Sequence, residues 1–100
     1  MKDRIILIPY QGVSREFLAG LSGILANIFN QATEIGLGMI IKSSAWRPGR
    51  QQFNADVILD ALPHPDSGSR MLGVLDADIY AFGLNFIFGE ADSNSRKALI

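Results

Sequence analysis

The chain has 100 residues (10.9 kDa), of which 48% belong to the set AVILMFWYC and 19% are charged; it has one histidine, no cysteine and a formal net charge of −1. That length fits one domain, and the apolar share excludes disorder. The charge balance offers no basic field for nucleic acid or an anionic membrane, and the absence of cysteine removes disulfides, thiol nucleophiles and cysteine zinc sites.

Arg4 to Tyr10 (RIILIPY) reads as a strand, its continuous β-branched run suiting cover on both faces. The apolar core of that run, Ile5 to Ile8, is shorter than the roughly 7–15 residues of a signal-peptide core. Ser14 is placed as a helix N-cap with Glu16 in the first turn. Phe17, Leu18, Leu21, Ile24, Leu25 and Ile28 then recur at spacings of three and four, predicting an amphipathic helix with one buried face. Gly20 and Gly23 inside it cost roughly 1 kcal/mol each relative to Ala, which close backbone packing on a sheet would offset. The longest uncharged stretch, Phe17 to Thr33, includes Ser22, Asn27, Asn30 and Gln31 and reads as a buried helix rather than a membrane span. A cytoplasmic chain is expected.

Ala32 to Ile41 predicts a second strand, weakened at Gly36 and Gly38, and Lys42 to Gln52 predicts a loop. Phe53 to Leu62 predicts a helix, with Asp56 and Asp60 on one polar face and Pro63 and Pro65 as the stop. His64 to Arg70 reads as a surface loop and Met71 to Leu75 as a central strand. Leu84 to Phe88 alternates in period two between Gly83 and Gly89, as an edge strand does, and Glu90 to Asn94 reads as a polar turn. Lys97 to Ile100 opens a further apolar run. The order predicts an α/β domain with a twisted mixed β-sheet backed by two helices.

Four groups of residues invite chemistry. Asp76 and Asp78 would share one side of a continued strand, where they could hold a magnesium ion or act as nucleophile and acid in a phosphate-processing hydrolase. The haloacid-dehalogenase-like phosphatases use such an Asp-x-Asp, but Tyr80 stands where they carry a small hydroxylated residue, and a polar strand end tied to a neighbouring loop is the simpler reading. His64, the one histidine, sits between prolines, where nothing makes three ligands converge. Lys42, Trp46, Arg47 and Arg50 form a small basic, aromatic loop, read as ordinary surface with Trp46 tucked against the domain. The strand Leu84, Asn85, Phe86, Ile87, Phe88 is the remaining group: an edge merely covered by further sequence is the simpler reading, but an edge also offers unpaired N–H and C=O groups to a peptide, so a non-enzymatic peptide-binding module is open too.

The stretch Leu72 to Tyr80, and the run Gly83-Leu84-Asn85-Phe86-Ile87-Phe88-Gly89-Glu90-Ala91-Asp92, resemble the part of the archaemetzincins that precedes their catalytic motif. Arg50 to Asp56 and the opening strand and helix are similar to that family too; Leu75 and Phe82 depart from its Thr and Pro. The resemblance implies the N-terminal subdomain, residues 1–100, of a metzincin-like zinc metallopeptidase. In that family zinc is held by H-E-x-x-H-x-x-G-x-x-H, whose glutamate is the general base. No such motif occurs here, so the resemblance places the zinc ligands beyond Ile100, assigns no catalytic or metal-binding residue to this chain and implies that it is inactive alone. It implies two partners, a peptide substrate and the C-terminal remainder of the same catalytic domain. It also makes Leu84 to Phe88 the substrate-binding upper rim of the cleft.

Overall fold

The computed structural model describes residues 3–66, 68–81, 83, 87 and 89–100. The first strand, β1 (Arg4–Pro9), leads into helix α1 (Arg15–Phe29) and strand β2 (Ala32–Ile35). A 3-10 turn (Ser43–Ala45) and two short strands, β3 (Trp46–Arg47) and β4 (Gln52–Asn54), precede helix α2 (Ala55–Ala61). Strands β5 (Ser69–Val74), β6 (Ile79–Tyr80), β7 (Glu90–Asp92) and β8 (Lys97–Leu99) follow.

The main sheet has the order β2-β1-β5-β8-β7, parallel except for β7, which runs antiparallel to β8. The expected mixed sheet is present, and β5 lies at its centre. The two helices sit on opposite faces. Leu7, Leu18 and Val74 make one core beneath α1, with Leu21, Leu25 and Leu72 packed on it. Ile8, Tyr10, Ile58, Leu59, Leu62 and Leu99 belong to the larger core beneath α2. The alternation along β1 explains this division, because Leu7 and Ile8 must point to opposite faces. A second sheet, β3-β4-β6, was not anticipated.

Several expected boundaries move, each for a local reason. Ser14 caps α1 as predicted, its Oγ accepting from the Phe17 N–H at 3.1 Å. That helix turns the line Leu18, Leu21, Leu25 to the sheet, whereas Phe17, Ile24 and Ile28 form the adjoining stripe and stay exposed. Gly20 and Gly23 are not packing sites, since an added Cβ at either would meet nothing within 4 Å. The second strand stops at Ile35. At Gly36 the backbone comes so close to Ile8 that a Cβ would lie 2.8 Å from its Cδ1, and Gly36 N–H bonds Leu7 O at 2.8 Å. The chain next bridges the sheet where Met39 pairs with Tyr10.

The expected loop Lys42 to Gln52 contains β3 and the start of β4. Phe53 leaves the predicted helix for β4, pairing with Trp46 and Ile79. Asn54 ends that strand as the helix cap, its Oδ1 accepting from Asp56 N–H at 2.9 Å. Ser69 and Arg70 join the third strand rather than the loop. Glu90 to Asp92 is strand β7 rather than a turn, because its register with β8 supplies the ladder partners that polar composition concealed. Among the described residues, no helix is long and apolar enough to cross a membrane.

Candidate functional site

Of the expected rim, Leu84, Asn85, Phe86 and Phe88 lie outside the described residues. Ile87 is described: its N–H donates to Ile79 O at 3.0 Å in an antiparallel bridge. Ile87 is thereby tied to β6 of the small sheet at one point, and β7, the edge of the main sheet among the described residues, begins three residues later. Gly89 between them needs its missing side chain, since a Cβ there would lie 2.6 Å from Leu99 O, a backbone atom with no freedom to yield. No strand pairs the outer side of β7 among the described residues.

Asp76 and Asp78 do not share a site. Strand β5 ends at Val74 and the chain bends at Asp76, so the period-two alignment that would join the carboxylates is lost. Asp76 lies against the Gly12 turn. Asp78 Oδ1 accepts from Gln52 Nε2 at 3.0 Å, and its backbone carbonyl accepts from Phe53 N–H at 3.0 Å. His64 is exposed. Among the described residues, no group of three His, Asp or Glu side chains is placed to hold a metal ion.

The basic, aromatic loop is held internally. Trp46 packs on Phe53 with ring centroids 4.9 Å apart, though it stays 39% exposed. Arg47 Nη1 donates to Ser44 O at 2.6 Å, and the Arg50 guanidinium lies 3.9 Å over the Tyr80 ring.

Sequence reasoning missed three features. On the α1 side of the main sheet is an open groove of about 660 Å³, floored by Leu72 and Ala98 and walled by Leu25, Phe29 and Ile100. Gln31 also lines it, with Oε1 buried and unpartnered among the described residues. The second feature is Lys97, buried on the α2 side, whose Nζ donates to Leu62 O at 2.9 Å and Leu59 O at 3.4 Å. The third is Glu90, whose carboxyl is pushed up to about 7, first by burial, then by a hydrogen bond with Asp56 and the negative charges of Asp56 and Asp60. A signal for Lys97 was present: period two puts it on the same side as Leu99.

No protein-family model matches the chain. An archaemetzincin of Methanocaldococcus jannaschii is 38% identical over 97 residues, covering 97% of this chain and 52% of that protein. One from Archaeoglobus fulgidus is 35% identical over 95 residues, covering 95% of this chain and 58% of that protein. The crystal structure of the A. fulgidus archaemetzincin superposes with a TM-score of 0.86 at 31% identity, over 97% of this chain and 59% of that one. A zinc-dependent peptidase of Methanocorpusculum labreanum shares the fold, with a TM-score of 0.79 at 18% identity over 96% of this chain and 62% of that one. The chain thus spans a little over half the length of the curated relatives it matches. In sequence and in fold it is a homologue of the archaemetzincins, matched over nearly all of its own length.

Proposed function

We propose that residues 1–100 form the N-terminal subdomain of a zinc-dependent metallopeptidase and supply the upper rim of its substrate cleft. The observation that carries this reading is the similarity to archaemetzincins, 38% identity over 97% of the chain with that of M. jannaschii and a TM-score of 0.86 with the structure of that of A. fulgidus. That the M. labreanum protein of the same fold is a zinc-dependent peptidase supports zinc and peptide hydrolysis as the chemistry.

This chain's own residues do not fit a zinc centre, for want of three convergent ligands among the described residues. In this reading the metal and general base belong to the C-terminal remainder, and no hydrolytic step is assigned to any residue here. What this chain does is bind. In this reading an extended peptide adds to residues 84–88 by main-chain hydrogen bonds; Ile87 is bonded to Ile79, and β7, which follows the segment, pairs with β8. Each main-chain bond contributes about 0.5–1.5 kcal/mol net, so two or three shift affinity by about ten- to several-hundredfold. The remainder of the domain has a seat in the apolar groove beside α1, and relatives of about twice this length support its presence.

The coding frame past Ile100 tests the reading first: H-E-x-x-H supports it, and its absence there overturns it. In a polypeptide carrying both halves, a peptide-like inhibitor should add amide-exchange protection at residues 84–88 and little at 71–75. Binding without protection at 84–88 removes the rim role. The same protection after zinc is stripped identifies a peptide-binding module instead.

A further inference from the structure

Ile87, the described residue of the expected rim, meets the small sheet at β6, its N–H donating to Ile79 O at 3.0 Å. Strand β6 is two residues long, so its ladder to β4 supplies few bonds, and where Ile87 sits depends on what else fixes β6. Two side chains from the β3–β4 hairpin do so. Gln52 is buried at the start of β4, and its Nε2 donates to Asp78 Oδ1 at 3.0 Å, one residue before β6. Its Oε1 accepts from Arg50 Nε at 3.3 Å. The Arg50 guanidinium in turn lies 3.9 Å over the ring of Tyr80, the last residue of β6. The short strand is gripped just before its start and at its end.

The same contacts select the register. Phe53 faces Ile79, and the Phe53 N–H donates to Asp78 O at 3.0 Å, so Gln52 and Asp78 occupy the next position back on the two strands. Sliding β6 by one residue would turn Asp78 to the other face and leave a buried amide without its acceptor. In the observed register Ile79 is buried and Ile87 packs on the core beneath α2.

We propose that Gln52 is a positioning residue for the rim: its bond to Asp78 holds β6 in register on β4, and β6 in turn holds Ile87. The inference deepens the rim reading and rests on it for its functional meaning, although every bond along the path lies within this chain.

Amide exchange at Ile87 in the 100-residue chain, measured relative to β5, tests the path without any peptide. Gln52→Met keeps the length of the side chain and removes its bonds. It should speed exchange at Ile87 by about two- to tenfold, the contribution of one such bond. Asp78→Ala should do the same, and serves if Gln52→Met does not fold. Asp78→Asn keeps an acceptor for Gln52 Nε2 and should hold Ile87 near the wild-type rate. In a polypeptide carrying both halves, Gln52→Met should raise KM for a peptide by a similar factor and leave kcat little changed. The proposal is overturned if exchange at Ile87 is unchanged in these variants, rises no more than at β5, or is as fast in Asp78→Asn as in Asp78→Ala. Faster exchange at Ile87 with an unchanged KM upholds the path from Gln52 to Ile87 and counts against the rim reading instead.

Discussion

The Lys97 ammonium donates to the Leu62 carbonyl at 2.9 Å, joining a strand to the end of a helix 35 positions earlier in the chain. Helix α2 has no basic residue in its last turn; the Leu62 N–H already donates to the Leu59 carbonyl at 3.2 Å, and Lys97 is the donor to the Leu62 carbonyl. Lys97 supplies both that donor and the positive charge that a helix C-terminus favours. Lys97→Met keeps the apolar stem but strands the Leu62 carbonyl, so a loss of about 1–3 kcal/mol is expected. Urea denaturation measures it. Unchanged or increased stability would mean that desolvating the ammonium costs as much as its bonds return.

Helix α1 carries two glycines with open space above them. Gly20→Ala and Gly23→Ala should each stabilise the chain by about 0.5–1 kcal/mol, since each removes backbone entropy from the unfolded state and adds no clash. A drop in thermal midpoint for either variant would reveal a partner that needs the bare backbone there.

Stability should fall from about pH 5 to about pH 8.5. Glu90 has a folded pKa near 7, above the ordinary 4.5, so the folded state holds its proton more tightly. The resulting stabilisation is fully present below the unfolded value and is lost as pH rises through the folded one. Asp66 acts in the opposite sense: a hydrogen bond from Ser69, aided by the charges of Arg4 and Arg96, lowers its pKa, so its contribution is lost on acidification. Thermal melts across this range should show the decline in the wild type and a flatter profile in Glu90→Gln. A wild-type midpoint that is constant or rises across it would contradict the assignment.

Asp78 joins two parts of the chain through Gln52. Asp78→Ala should cost about 0.5–1.5 kcal/mol, the net worth of one such bond, and should expose no phosphatase deficit. Magnesium-dependent hydrolysis of a phosphate ester, lost in that variant, would restore the catalytic reading of the aspartate pair.

The groove beside α1 and the exposed stripe of Phe17, Ile24 and Ile28 should make this chain adhesive. An apolar dye should bind it, and sedimentation should show association rising with concentration. Metal analysis should find no stoichiometric zinc, and a peptide assay no cleavage. A monomer silent to dye, or tight zinc at one per chain with activity, would show that 1–100 needs no second half.

The sequence by itself determined what depends on neighbours a few positions apart. The period-two run of β1, the three-and-four spacing of α1, its Ser14 cap and the mixed α/β order all arise from local geometry, and the structure carries them. The Gly83 to Asp92 run was specific enough to mark the family resemblance. Tertiary structure decided what depends on residues far apart. Glu90 to Asp92 looks like a turn because its partners Lys97 to Leu99 appear only in the folded register. Phe53 satisfies helical spacing, yet pairing with Trp46 and Ile79 claims it for a strand. Asp76 and Asp78 align only on a strand that continues, and the bend after β5 separates them. Lys97 reads as a surface charge until α2 brings the carbonyls of Leu59 and Leu62 to it. Local periodicity specifies which side of an element is apolar; only packing specifies what that side meets.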